Sequence, residues 1–373
     1  MAKDKRNVKR LFIAATMQND GKTTIALGLI SALRRRFKKI GFIKPVGQRY
    51  LLEDGYKVDE DSVLMEKVFG YRCCIKDMNP IAVERGFTER YILRGKKESL
   101  EKRIFRAFEK LSQDQDNDLI IIEGTGHAGV GSCFDLSNAR VAKMLEAPVI
   151  LISSGGVGKP IDEILLNNAL FEREGIEILG VVINKVLREK YKKVRRLVSL
   201  GLRKKGIELL GVVPYNKMLT APTVRQIAEE LRLKFLNSSG NLDNLVKKIV
   251  VGAMEPHEAL NYFEDGSLII TPGDREDIIL SAMSFHLTGR ERGKVISGVL
   301  LTGNLMPHRR ILRLLRLAKI PLLISPEDTY AVASRIHDLT VKLRPEDKEK
   351  IKQVRNLIER YIDIDKIFAF LKE

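Results

Sequence analysis

The stretch Arg10–Gly28, RLFIAATMQNDGKTTIALG, reads in order as a short apolar strand (Arg10 to Ala15), a polar loop, the run Gly21-Lys22-Thr23-Thr24, and the start of a helix (Thr23 to Phe37). That order builds a phosphate site. Amides of the loop and of the helix N-terminus wrap the phosphates, a lysine ammonium neutralises their oxygens, and the hydroxyl after it ligates magnesium. Lys22 and Thr23 take those two roles, and Asn19, Asp20, Gly21 and Thr24 complete the wrap. The pattern GxxxxGK[ST] fails at its first glycine, where Thr16 stands. Asn19 and Asp20 soften this because they tolerate left-handed backbone better than most residues.

Such a site needs an acidic group on a neighbouring strand to hold the metal and its waters. The run Asp118–Ala139, DLIIIEGTGHAGVGSCFDLSNA, supplies Glu123 at the carboxyl end of a buried strand, followed by a glycine loop. Ligands of open α/β sheets bind at that end. His127 in the same loop reads as a hydrogen-bonding strut. The strand Ile40 to Lys44 ends in Lys44-Pro45, which places a point charge for a phosphate or a carboxylated substrate on the ligand side. Asp59 and Asp61 stand just before a helix, where capping competes with magnesium binding.

Short β-branched runs alternate with helix-length amphipathic segments along all 373 residues, which predicts an α/β fold with parallel sheets covered on both faces. The further strands of the first domain are expected at Leu119–Glu123, Pro148–Ser153, Ile178–Asn184 and Leu209–Pro214; Gly47 to Gly95 is less regular. LKFLNSSGNLDN, around Lys234 to Asn244, reads as a joint. The expected domains are therefore 1–240, a P-loop three-layer sandwich, and 241–373, a smaller α/β sandwich ending in a charged helix over Pro345–Tyr361.

The net charge is +17, from 65 Lys and Arg against 48 Asp and Glu. Nearly all of it falls before residue 241, in the tail to Arg10, in Arg34–Lys39 and in Arg188–Lys205. With little aromatic interleaving and no nucleic-acid module, this reads as solvated helix surface, and nucleic acid is not an expected partner. No apolar run approaches the ~18 residues of a membrane span. No cleavable signal precedes the first strand. The expected place is the cytoplasm, with Cys73, Cys74 and Cys133 as reduced thiols.

The runs MQNDGKTTIALGL, KPV, EGTGH, GVVINKV and GVVPYNKMLTAPTVRQIAEEL together resemble dethiobiotin synthetase and the cobyrinic acid a,c-diamide synthase group over residues 10 to about 235. Residues 250 to 345, with VGAMEPHEALNYF, TPGDREDIIL, GVLLTGNLMPHRRIL and IPLLISPEDTYAVA, resemble the DRTGG domain. The order of the two is similar to the non-catalytic N-terminal half of long bacterial phosphate acetyltransferases, here without the acetyltransferase domain.

The resemblance implies ATP and Mg2+ as cofactors. It makes Gly21, Lys22, Thr23 and Thr24 phosphate contacts, and Thr23, Glu123 and one of Asp59 or Asp61, taken as Asp61, the metal shell. Asn184 would read the adenine edge, Pro214 would line the base pocket, and Lys44 would act with Lys22 if ligase chemistry is retained. The irregular stretch Gly70–Arg94 replaces recognisable substrate contacts, and Cys133 lies in no nucleophile elbow, which disfavours cyclo-ligase and amidation chemistry.

The leading expectation is an ATP-binding regulatory or sensor protein, homo-oligomeric, with a small-molecule effector at the second domain. Gly273–Asp277 and Thr302–Asn304 are the loops expected to hold that effector. The alternatives are an ATP-dependent ligase and a nucleic-acid-binding ATPase.

Overall fold

The computed structural model describes residues 8–94, 97–113, 116–237 and 240–372. The basic tail before Val8, Gly95, and residues 238–239 of the expected joint lie outside the described residues. Two compact units divide the chain, one of residues 1–215 and 343–373, the other of residues 216–342.

In the first unit, β1 (Lys9–Ala15), β2 (Ile40–Ile43), β3 (Leu119–Glu123), β4 (Val149–Ser154), β5 (Ile178–Val186) and β6 (Leu209–Pro214) form one sheet in the order β6-β5-β4-β1-β3-β2. Every pairing in it is parallel. Its strands read as continuous apolar runs because helices cover both faces; Leu11 to Ala15 and Leu119 to Ile122 are fully buried. β1 lies between β3 and β4, so the loop after it opens at the carboxyl end of the sheet beside Glu123 and Ser153.

The irregular stretch contains a hairpin, Tyr50–Glu53 against Tyr56–Asp59. Asp54 and Gly55 turn it with φ of 49° and 78°, the two positive values of a two-residue hairpin turn with an Asp-Gly sequence.

The second unit has a five-stranded sheet, β7 (Lys234–Asn237), β8 (Lys248–Val251), β9 (Ser267–Pro272), β10 (Gly298–Thr302) and β11 (Leu322–Ile324), in the order β7-β11-β10-β9-β8. β7 is the antiparallel edge. The residues expected as a joint therefore begin with a strand, and the division falls at Tyr215/Asn216 rather than near residue 240.

The C-terminal helix differs more from expectation. Lys348–Tyr361 belongs to the first unit, where Ile351, Val354, Leu357 and Ile358 form a buried stripe against the helix Lys22–Leu33. Gly28 permits the approach: a Cβ there would stand 2.1 Å from Ile358 Cγ1. The chain then joins the edge of the first sheet, Asp363 donating its amide to the Leu210 carbonyl at 2.9 Å.

Candidate nucleotide site

Ala15 ends β1 and Lys22 begins the helix, so the intervening loop must reverse the chain in six residues. It does so with Asn19 at φ 66° and Gly21 at φ 98°, the two left-handed turns that give successive amides a common concave face. Thr16 fills the place of the missing glycine and is fully buried. Its hydroxyl lies 3.0 Å from Asp20 Oδ2, 3.0 Å from Ser153 Oγ and 3.2 Å from Glu163 Oε2.

Asp20 itself is turned into the loop. Its carboxylate accepts the Met17 amide at 2.8 Å and the Ser154 hydroxyl at 2.7 Å. Asp20 thus shapes the phosphate loop from inside, with its side chain bound to protein groups. Asn184 acts from the other side: its Nδ2 donates to the Asp20 carbonyl at 2.8 Å, and a Cβ on Gly21 would lie 2.4 Å from that nitrogen. Glycine is required here both by φ and by this close approach. Pro214 is buried at the end of β6, paired with Val186.

Lys22 is buried, and its ammonium donates to the Gly126 carbonyl at 3.0 Å and the Met17 carbonyl at 3.4 Å. Burial pulls it down to about 8, with the Glu123 carboxylate opposing. Thr23 Oγ1 donates to Glu123 Oε1 at 2.8 Å; Thr24 is half-buried. Glu123 is 1% exposed, and burial pushes its carboxyl up to about 7 against the pull of Lys44. Its other oxygen, Oε2, is buried without a hydrogen-bond partner.

Lys44 sits at the centre of a carboxylate ring. Its ammonium pairs with Asp61, with Asp59 Oδ1 at 2.9 Å and with Glu123 Oε1 at 3.6 Å. Burial opposes its charge, but Asp61, Asp59 and Glu123 together outweigh that and hold it well above the ordinary lysine value. Asp59 caps the helix Glu60–Phe69 through the Asp61 amide, and its second oxygen takes the amides of Gln48 and Arg49 at 3.0 and 3.2 Å. Two amides, the capped amide and an ammonium leave Asp59 no room for a metal.

The structure thus brings Lys22, Thr23, Lys44, Asp61 and Glu123 together at the ends of β1, β2 and β3. Among the described residues no group of three His, Cys, Asp or Glu side chains forms a metal cage. Magnesium at a P-loop does not use one, since most of its ligands are waters and phosphate oxygens. The Thr23 hydroxyl and the unpartnered Glu123 oxygen fit that sparse donor set.

Several supports escaped the sequence reading. Asn138 fixes the glycine loop by accepting the Thr125 amide at 3.0 Å and donating to the Thr125 and His127 carbonyls at 2.7 and 2.6 Å. Asn167 accepts the Ala128 amide at 2.8 Å and donates to the Thr16 carbonyl at 3.3 Å, tying that loop to the phosphate loop. Only the EGTGH run hinted at them. His127 accepts the Gly129 amide at 3.2 Å, as a strut does.

A family model described as an AAA domain, AAA_26, matches residues 9–223. The chain belongs to this family. A DRTGG domain model matches residues 226–339 in the second unit of this AAA-domain protein. The phosphate acetyltransferase of Nitratidesulfovibrio vulgaris is 29% identical over 362 residues, covering 95% of this chain and 50% of that protein. The phosphate acetyltransferase of Escherichia coli is 22% identical over 382 residues, with 95% and 52% covered. The chain spans about half the length of the curated relatives it matches, as expected of a relative of their N-terminal half.

Among solved structures, the MinC:MinD cell division complex of Aquifex aeolicus is similar at a TM-score of 0.37 and 14% identity, covering 57% of this chain and 84% of that one. The CBS and DRTGG domains of Clostridium perfringens pyrophosphatase, complexed with the activator diadenosine tetraphosphate, give a TM-score of 0.27 and 16% identity, with 37% and 66% covered. The fold assignment rests on the strand order above. No helix among the described residues is long and apolar enough to cross a membrane.

In the second unit, the loops expected to hold an effector are satisfied internally. Arg275 pairs with Asp277 at 2.9 Å and donates to the Met254 carbonyl at 2.9 Å. The Thr302 and Thr329 hydroxyls bond each other at 2.7 Å, and a Cβ on Gly273 would meet the Leu305 carbonyl at 1.8 Å.

Proposed function

We propose that the first unit binds ATP with Mg2+ and that the chain is a nucleotide-responsive regulatory protein, with the DRTGG unit as ligand reader. The observation that carries this is Glu123: a fully buried carboxylate with one oxygen on the Thr23 hydroxyl and the other without a partner. A buried charge left half-satisfied is costly, and a magnesium ion with its waters supplies the missing partner. Thr23 and Glu123 would hold the ion, with Asp61 rather than Asp59 completing the shell. The ion would neutralise charge on the phosphates. Lys22 and the amides from Asn19 to Thr24 would hold the phosphates, Asp20 supporting the loop from within.

Asn184 keeps one amide hydrogen for the base edge after donating to Asp20, and Pro214 stands at the neighbouring strand end. Both stay in the proposal as base contacts. Lys44 is a counter-ion to three carboxylates, which leaves it no free charge for the carboxylated second substrate a ligase would need. That favours regulation over ligation, as does the relationship to half of the phosphate acetyltransferases. Assembly into a homo-oligomer belongs to the same proposal.

Calorimetry with Mg-ATP is the test. Saturable binding lost in Lys22→Ala supports the reading, and unchanged affinity in that variant removes it. Phosphate release stimulated by a small amine or carboxylate would restore the ligase reading.

A further inference from the structure

The second unit carries a cleft of about 450 Å³ at the edge of its sheet where the strands begin, away from the loops just described. Its lining combines the turn around Asn241 and Asn244 with Arg290 and Lys319. Arg290 follows the helix Glu276–Gly289, and Lys319 closes the turn before β11. Both cations are exposed, and neither enters an ion pair among the described residues. Among those residues no carboxylate lines the cleft; Asp243, beside Asn244, is occupied by Arg225 at 2.8 Å, and Glu291 follows Arg290 in sequence without lining the cleft.

His286 also lines the cleft and is 4% exposed. Neither of its ring nitrogens has a hydrogen-bond partner. The backbones of Ile296 and Ala318 lie near the ring without reaching hydrogen-bond geometry. Burial first, and then the Arg290 charge, hold the imidazole in its neutral form, with one donor and one acceptor. Buried polar groups in native proteins are nearly always satisfied, so this one needs a reason.

The composition of the walls supplies one. A guanidinium fork and an ammonium lining one cleft suit a doubly charged, oxygen-rich anion. The Asn244 side chain and the Asn241 Nδ2, whose own Oδ1 accepts the Asp243 amide at 3.0 Å, offer neutral groups for hydroxyls, and the volume lies in the range of small-metabolite sites. We propose that this cleft binds a small phosphomonoester, its phosphate on Arg290 and Lys319 and, with a turn of the buried ring, a hydroxyl or phosphate oxygen satisfying His286. This rests on the reading of the second unit as a ligand reader and gives that reading a place and a ligand class.

The test uses the full chain and glycerol 3-phosphate, titrated at constant ionic strength against chloride. The chain has 5 histidines, so the ring signals can be followed by NMR and that of His286 assigned by its loss in His286→Asn. A saturable shift of the His286 signal is expected. It should weaken at least tenfold in Arg290→Ala/Lys319→Ala, whose exposed side chains leave folding intact, and persist in Lys22→Ala, which removes the phosphate loop as a competing site. No saturable shift, an equal shift with chloride, or an unchanged affinity in the double variant overturns the proposal. Loss of the shift in Lys22→Ala also overturns it, because the anion would then be at the nucleotide site. The nucleotide reading fails separately, on Mg-ATP affinity alone.

Discussion

A close junction of the candidate nucleotide site is that of Gly21 with Asn184, and Gly21→Ala is the perturbation that measures it. Gly21 holds φ 98° and ψ 31°, beyond the left-handed region where an alanine is merely uncommon. Left-handed backbone costs a residue with a Cβ roughly 1–2 kcal/mol. The new Cβ would also lie 2.4 Å from Asn184 Nδ2, far inside contact distance. The amide must move, and its bond to the Asp20 carbonyl goes with it. A buried acceptor left unsatisfied costs about 1–3 kcal/mol. The two terms put Gly21→Ala at roughly 2–5 kcal/mol.

Asn184→Ala loses the same hydrogen bond and should cost about 1–3 kcal/mol by itself. In the double variant the clash is gone and the bond is lost only once. The pair should therefore fall short of additivity by about 1–3 kcal/mol, the hydrogen bond counted once instead of twice, with only the backbone strain of the Gly21→Ala substitution added to the cost of Asn184→Ala. Urea denaturation of the four proteins, followed by circular dichroism at fixed pH without nucleotide, measures this directly. Strict additivity would refute the reasoning, because it would mean that Asn184 is not pressed against Gly21. A Gly21→Ala cost below about 1 kcal/mol would remove the left-handed loop as well.

Glu123→Gln should stabilise the nucleotide-free protein near pH 8 while weakening Mg-dependent nucleotide binding. The folded carboxyl at about 7 lies above its ordinary 4.5. The unfolded chain therefore loses its proton first as pH rises, and stability falls between those values by roughly 3 kcal/mol at 1.36 kcal/mol per pH unit and is then flat. A slope of the same size in Glu123→Gln, in denaturation midpoints taken from pH 5 to 8, would assign it to other groups. Ile358→Ala removes the fully buried side chain packed at Gly28 and should cost the first unit about 2–5 kcal/mol in the same assay. Cys73, whose thiol burial pushes up to about 11 from 9.0, should be alkylated on the order of 100-fold more slowly at pH 8 than a thiol of ordinary pKa. Exposed Cys74 and Cys133 should label first by mass spectrometry.

What the sequence made legible was whatever lies within one stretch of chain. The order of strand, loop, Gly-Lys-Thr and helix is local, and the strand with Glu123 at its carboxyl end announces itself by its apolar run, so the turn at Gly21-Lys22-Thr23 and the placing of Glu123 beside it were readable. The Asp54-Gly55 hairpin was local too and carried a readable turn signal, but it lay in a stretch without periodicity. The rest depends on pairings over long distance. Lys234–Asn237 contains only four residues, two of them polar, and becomes a strand because β11, far later in the chain, offers an edge.

The helix Lys348–Tyr361 shows its apolar stripe plainly, yet a stripe does not name the surface it covers, and that surface is shaped by a distant residue, the gap at Gly28. Lys44 illustrates the same limit in the site. A lysine leaving a strand on the ligand side reads as free charge until Asp59, Asp61 and Glu123 converge on it. On the proposed reading that convergence sets the division of roles. With its charge already matched, Lys44 fixes the carboxylates in place, and the developing charge of any bound phosphate falls to Lys22 and to the cation that the unpartnered oxygen of Glu123 would receive.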